Sequence, residues 1–428
     1  MKVLHLWRCD SGKRGGGGAV AMNRLHSSLL EANIDSKILC ESKTTESPQV
    51  LVFQRSFLLK LIEKFFQQIT SRLGLNDIHR LSSFNLKQHQ AYIDADILHF
   101  HGTHGFINYL ALPILTRDKP AVFTLQDMWA VTGHCGYFYN CDRWKIGCGK
   151  CPDLGIYPPV KRDGTRLEWQ LKNWIYRYSN LTLISPSQWI ENLARKSPLI
   201  NRFPIHHIPY GIDTEIFQPL NTQKCRSELG IPLDKKVLLF AAVNLNDKRK
   251  GGDLLVKALQ DLPQSLKAET VLVVFGKKTQ TKTISQIGLP VFHLGYLSDD
   301  RSKAKAYSAA DLFLFPTRAD VFGLVSIESQ ACGTPVVSFK VGGVPDHVHP
   351  AITGYLAKPE NVRDFRNGII QLLGNNEASR HQMSRQCRAI AVEKYDSKLW
   401  TQRHIAVYRK LKQKRSRSED SHSYGHSQ

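Results

Sequence analysis

Short apolar runs alternate with stretches of helical period along almost the whole chain. In the first half the runs fall near Val3–Trp7, Ser36–Cys40, Ile97–His101, Ala121–Leu125, Leu181–Ile184 and Ile205–Ile208. In the second half they fall near Val237–Ala242, Val271–Phe275, Val291–Leu294, Leu312–Phe315 and Pro335–Phe339. Strand-sized apolar runs separated by helical patterns predict βαβ units and parallel sheets. The segment Ile208–Pro219 is rich in Pro and Gly, so the boundary between two α/β domains is placed there. The expected organisation is a first domain over 1–213, with a cysteine-rich loop at 134–152, and a second over 214–390. Helices over 391–411 are expected to pack back on the first domain. The tail 412–428 is Ser, His and charge, with little to bury, and is expected to be disordered.

One helical pattern stands apart. In Phe57–Leu73 the apolar positions 58, 61, 62, 65, 69 and 73 form one stripe, flanked by Lys60, Lys64 and Arg72. Such a stripe either packs into the core or lies at an anionic lipid surface.

Composition narrows the class. The chain has 428 residues, 42% hydrophobic and 22% charged, which fits a globular protein with two domains. No apolar run approaches the ~20 residues of a membrane span. The start, Met1 to Asp10, reads as a first strand rather than a signal peptide, so a cytoplasmic protein is expected. The net charge of +21 predicts attraction to polyanions: nucleic acid, anionic headgroups or phosphorylated substrates. No nucleic-acid recognition module is visible, so nucleic acid is not an expected partner.

Candidate chemistry gathers around Asp320 and Glu328. An apolar strand ends at Pro316, a loop carries Asp320 and Gly323, and a helix begins near Leu324 with Glu328 in its first turns. A helix N-terminus offers unpaired N–H groups and a positive dipole end, which suits a phosphate. Carboxylates before and inside that helix can hold sugar hydroxyls on either side of it. Further candidates sit at other strand ends. The run Gly15 to Gly18 lets backbone approach a ligand, and Asp247-Lys-Arg-Lys250-Gly clusters cations suited to a diphosphate. His101 ends a strand, with His104 close behind, and Gln126-Asp127 end the next. Cys135, Cys141, Cys148 and Cys151 follow His134 within one short stretch. Their readings are a structural zinc site, free thiols or a disulfide pair.

The text Phe322-Gly-Leu-Val-Ser-Ile-Glu328, followed by Ala331-Cys-Gly-Thr-Pro-Val-Val337, resembles the retaining glycosyltransferases of family 4. The Cys-rich segment is similar to the bacterial exopolysaccharide and colanic-acid subset. The resemblance implies a GT-B fold: two Rossmann-like domains facing a central cleft, with a C-terminal helix crossing back to the first. It implies transfer of a sugar from a nucleotide diphosphate to a polysaccharide-precursor or lipid-linked acceptor, without a catalytic cofactor. It assigns Glu328 to the nucleotide ribose and Asp320 to the donor-sugar hydroxyls. The N–H groups of Phe322, Gly323, Leu324 and Val325, with Lys250 and Arg249, are assigned to the diphosphate. His101 is assigned to the donor sugar, and Gly17 and Gly18 to the donor site. The family has two Glu where this chain has Asp320 and Glu328, and an Arg near where it has Asn244. The competing readings are a nucleotide-sugar epimerase of the same fold and a non-catalytic polyanion-binding protein. A peripheral position on the inner face of a membrane is the expected location.

Overall fold

The apolar runs form two separate parallel sheets. The computed structural model describes residues 1–10, 12–244, 247–277 and 287–423; side chains at 12–14, 243, 244, 277 and 418–423 fall outside that description, and Asn244 is among them. The chain divides into a first unit, Met1–Pro209 with Trp400–Gln428, and a second unit, Tyr210–Leu399. The division falls four residues before the expected boundary, and the second unit keeps 391–399.

The first unit carries β1 (Lys2–Leu6), β2 (Asp35–Cys40), β3 (Val50–Val52), β4 (Ile97–Phe100), β5 (Ala121–Thr124), β6 (Thr182–Ser185) and β7 (Ile205–His207). Their order is β3-β2-β1-β4-β5-β6-β7, and every pair is parallel. Every residue of β4, β5 and β6 is buried, so these strands show no alternation of buried and exposed positions. The second unit carries β8 (Lys236–Asn244), β9 (Thr270–Lys277), β10 (Val291–His293), β11 (Leu312–Phe315), β12 (Val336–Phe339) and β13 (Gly354–Ala357). Their order is β10-β9-β8-β11-β12-β13, again parallel throughout. Leu238, Phe240, Leu314 and Val337 of this sheet pack with Leu255 and Leu259 of the helix Gly252–Gln260 and with Phe365 and Ile369 of the helix Val362–Leu373. In both orders the chain reverses direction of winding beside the first strand of the unit, between β1 and β4 and between β8 and β11. Ligands of open α/β sheets bind at the carboxyl ends of the strands at such points.

Four features differ from the sequence-based expectation. β3 and β13 were not expected; each is a sheet edge of three or four residues, too short to show a pattern of its own. The first helix takes in the whole glycine run: it begins at Gly12 and is interrupted at Gly16, which has φ 64° and ψ −156°. The last helix runs from Ser397 to Ser423, where disorder was expected from Lys412; 424–428 lie outside the described residues. It carries Lys, Gln and Arg, good helix formers, and Lys412 pairs with Asp96 at 2.9 Å.

The fourth is the helix Phe57–Arg72: of its two readings, packing into the core does not hold. Phe57, Leu58 and Phe65 are 77%, 67% and 62% exposed, and Leu61, Ile62, Phe66, Ile69 and Leu73 are exposed too. The buried residues of this helix are Glu63 and Thr70. Glu63 accepts from Arg55 Nη1 at 2.9 Å and from the Ser82 N–H at 2.7 Å. Arg55 and Arg80 both pair with Glu41 as well, so a polar network holds this side of the helix against the unit.

Candidate functional site

The second unit assembles most of the expected site at the carboxyl ends of β8 and β11. Asp247 caps a single turn, Lys248–Lys250, by accepting from the Arg249 N–H at 2.9 Å. The carbonyl of Arg249 accepts from the Arg318 N–H at 2.8 Å and from Thr317 Oγ1 at 3.1 Å, which ties this turn to the loop after β11. Gly251 completes the turn at φ 69°; a Cβ there would lie 1.9 Å from the Pro316 carbonyl oxygen, so only glycine allows the approach. The two loops bring charges together. Lys250 Nζ donates to Asp320 Oδ2 at 2.9 Å, and Arg249 Nη1 lies 3.3 Å from the same oxygen. Burial pushes the Asp320 carboxyl upward, but the Lys250 and Arg249 charges outweigh it and bring it down to about 2. Burial, with Arg249 adding to it, lowers the Lys250 ammonium, against the pull of Asp320.

The backbone of Asp320 is fixed from a third loop. Its carbonyl accepts from the Gly343 N–H at 3.1 Å, and a Cβ on Gly342 would lie 1.9 Å from that oxygen. Past Asp320 the helix Leu324–Ala331 begins at Gly323, in left-handed conformation and with no side-chain cap. No side chain caps its first N–H groups, and the residue just before the helix differs from expectation. The Phe322 N–H points to Asp320 Oδ1 at 3.3 Å, so it serves the carboxylate in this state. Glu328 is buried in this helix, and Tyr307 Oη donates to its Oε2 at 3.0 Å.

The sequence did not single out His347. Its ring is fully buried, 5.0 Å from that of Phe322, and neither nitrogen has a partner among the described residues. Burial drives its pKa down to about 3, with Asp320 opposing, so the ring is neutral and one nitrogen is a ready acceptor. The pair Gly342-Gly343, which pins Asp320, was the available signal for this loop.

The first unit places its candidates at the equivalent edge. His101 follows β4, Gln126 follows β5, and Gly18 lies in the helix after β1. Gln126 Nε2 donates to the Gly18 carbonyl at 3.3 Å and lies 3.1 Å from His101 Nδ1. With Nδ1 accepting, His101 Nε2 carries the proton and donates to His5 Nδ1 at 2.9 Å. His99 bonds Tyr408 Oη and Thr124 Oγ1, each at 2.7 Å. Burial keeps these rings neutral, with His101 down to about 3 and His404 to about 4. Gly17 has open space on its side-chain face. His104, the alternative to His101, is engaged instead with Asp77 at 2.6 Å. Asp127 holds its own loop by accepting from the Trp129 N–H at 2.9 Å.

Residues 15–216 match the model of Glycosyltransferase Family 4, and residues 221–389 match that of Glycosyl transferases group 1. The chain belongs to the family 4 glycosyltransferases. A family 4 relative in sequence is the D-inositol 3-phosphate glycosyltransferase of Mycobacterium leprae (strain Br4923), 34% identical over 173 residues, 38% of this chain and 39% of that protein. The putative colanic acid biosynthesis glycosyl transferase WcaC of Escherichia coli (strain K12) is 30% identical over 258 residues, 56% of this chain and 59% of that one. The chain thus spans less than two thirds of either relative. Among solved structures, sucrose-phosphate synthase from Thermosynechococcus elongatus aligns with TM-score 0.67 at 20% identity, over 96% of this chain and 99% of that one. WaaG, a glycosyltransferase involved in lipopolysaccharide biosynthesis, aligns with TM-score 0.65 at 17% identity, over 95% and 99%. At these identities the likeness is one of fold, and the fold that this family 4 chain shares with them is GT-B.

Proposed function

We propose that this chain is a retaining glycosyltransferase that moves a sugar from a nucleotide diphosphate to a glycan or lipid-linked acceptor. The observation that carries the reading is the triad of Asp320, Lys250 and Arg249 beside the uncapped helix at Leu324. As the bond from the anomeric carbon to the diphosphate breaks, negative charge grows on the leaving group. Lys250, Arg249 and the N–H groups of Leu324 and Val325 are placed to stabilise that charge. Asp320, held ionised between two cations, is a weak base and a weak nucleophile. It suits holding sugar hydroxyls and favouring positive charge at the anomeric carbon. The catalytic contribution is positioning and charge stabilisation. Glu328 serves the ribose, and the His101–Gln126–Gly18 cluster offers contacts for sugar or acceptor. Retention of configuration is expected from the family. The structure of Anabaena HepE with UDP and glucose, of the same fold at 17% identity and TM-score 0.64, supports a nucleotide diphosphate as the donor class.

The location we propose is an anionic membrane surface. No helix among the described residues is long and apolar enough to cross a membrane. The exposed apolar face of the helix Phe57–Arg72, with Lys60, Lys64 and Arg72 also exposed, suits the headgroup boundary instead.

The test is product analysis with a panel of nucleotide-sugars, with and without lipid-linked acceptors. The expected result is nucleoside diphosphate formed in step with glycosylated acceptor. Diphosphate released at full rate without acceptor, together with an epimerised sugar, would replace this reading with the epimerase.

A further inference from the structure

The connection from β5 to the helix Thr165–Arg177 is long and nearly without regular structure. Residues 125–164 hold two short turns, Trp129–Val131 and Arg143–Lys145. So long an irregular stretch is unusual in a compact domain, and something other than backbone ladders must hold it. Lys172 secures its beginning: the buried ammonium donates to the carbonyls of Trp129 and Thr132 at 2.9 and 3.0 Å. Past Thr132, Cys135, Cys141, Cys148 and Cys151 all line one cavity, with His134 at its wall. The cavity is about 20 Å³, room for one water-sized sphere.

Burial pushes the thiols of Cys135, Cys148 and Cys151 up, so only a bound cation would hold them as thiolates. The Gly133 N–H points to Cys148 Sγ at 3.2 Å. Gly147, Cys148, Gly149 and Lys150 all have positive φ, of 108°, 54°, 80° and 49°, which folds Cys148 and Cys151 into one tight turn. Two of these are not glycine, and such residues seldom hold this conformation unless something fixes it. His134 is buried; its Nδ1 lies 3.1 Å from the Pro158 carbonyl oxygen and its Nε2 lies 3.4 Å from Cys151 Sγ. With Nδ1–H donating to the carbonyl, Nε2 is an acceptor aimed at that sulfur.

We infer that this loop is built around one tetrahedral Zn²⁺ ion held by the thiolates of Cys135, Cys141, Cys148 and Cys151. Four sulfur ligands leave no open position, which makes the ion structural. Binding forms four Zn–S bonds and releases four thiol protons. The protons pass to solvent. The zinc role is independent of the transfer chemistry proposed above.

The experiment starts with the full chain, purified in reducing buffer without added metal. Elemental analysis is expected to give one zinc per chain. The double substitution Cys148→Ser with Cys151→Ser is expected to remove it, while Cys225→Ser, in the second unit, keeps it. Because the double variant can fail to fold, the unsubstituted chain is tested as well. Alkylation followed by peptide mapping is expected to show 135, 141, 148 and 151 protected, and exposed by a chelator. Titration of the chelated protein with Co²⁺ alone is expected to give thiolate-to-cobalt charge-transfer absorption that saturates at one ion per chain. Three results overturn the proposal. One is no zinc, with the four thiols alkylated in the native protein. Another is disulfides among the four. The third is zinc retained by the double variant, which would move the ion elsewhere, for example to His5, His99 and His101, whose ring nitrogens lie within 4.8 Å of one another.

Discussion

Lys250 Nζ sits 2.9 Å from Asp320 Oδ2, so a cation proposed for the diphosphate is paired with the carboxylate proposed for the sugar. Arg249 shares that oxygen at 3.3 Å. A diphosphate entering beside these cations competes with Asp320 for them. The pair therefore sets a balance between holding the leaving group and holding the sugar. Asp320→Asn is expected to tighten nucleoside diphosphate binding by about 3- to 10-fold, the scale of a partly exposed ion pair. Turnover is expected to fall by about 10²-fold or more, as for other losses of one charge-placing group. Calorimetry with UDP or GDP and an initial-rate assay read the two effects; weaker diphosphate binding in the variant would contradict this arrangement. Lys250→Ala is expected to lower turnover by a similar factor, with the acceptor constant unchanged.

Glu328→Ala is expected to abolish donor binding without unfolding the chain. The Tyr307 hydroxyl loses its acceptor in that variant, a cost of about 1–3 kcal/mol for a buried group. The midpoint of thermal unfolding should fall slightly, and the rise caused by nucleotide-sugar should vanish. Glu328→Gln keeps an acceptor for Tyr307, so it should restore the midpoint but not the ligand response. A ligand response preserved in both variants would remove Glu328 from the donor site.

The buried histidines make the fold acid-sensitive above the carboxylate range. His26 is held down to about 4, His101 to about 3, His404 to about 4 and His347 to about 3, each chiefly by burial. Unfolded, each takes up a proton near 6.5. Between about pH 6.5 and 4 the unfolded chain binds more protons, so stability rises with pH across that window and is lost as pH falls through it. Each ring costs on the order of 2 kcal/mol at pH 5 relative to neutrality. Urea midpoints at pH 7 and 5 should differ strongly, and a flat profile would contradict the neutral-ring network.

Anionic vesicles should retain the protein at low salt. Surface cations contribute about 1 kcal/mol each near such a leaflet, and the apolar face adds burial. Co-sedimentation should weaken with salt, with Lys60→Glu and Lys64→Glu, and with Phe57→Ser and Phe65→Ser. Protein left in the supernatant at low salt would point to a soluble acceptor.

The central strands were legible because burial on both faces leaves unbroken apolar runs, as in Leu312–Phe315. Asp320 and Lys250 were legible as candidates because loops at strand ends show their chemistry in the sequence, and Glu328 because it follows in the helix that one of those loops begins. His347 was not, because nothing local says that its ring lies beside Phe322. The edge strands Val50–Val52 and Gly354–Ala357 are made by pairing, which no short run reveals. The stripe at 57–73 gave the helix but not its orientation. Arg55, Glu41 and Arg80, distant in sequence from one another, set that by holding Glu63 inward. The pairing of Asp320 with Lys250 is likewise a contact between loops 70 residues apart.

The bond between His99 on β4 and Tyr408 on the last helix joins residues 309 apart, and both are fully buried. Trp400 and His404, near the start of that helix, are buried as well. During synthesis, then, the strands of the first unit leave the ribosome before the second unit, but lack this wall until Trp400 to Tyr408 has been made. The second unit, continuous from Tyr210 to Leu399, has every strand of its own sheet before that moment. Domains emerging from the ribosome generally complete in chain order. Here the first unit closes only after the second has all of its strands.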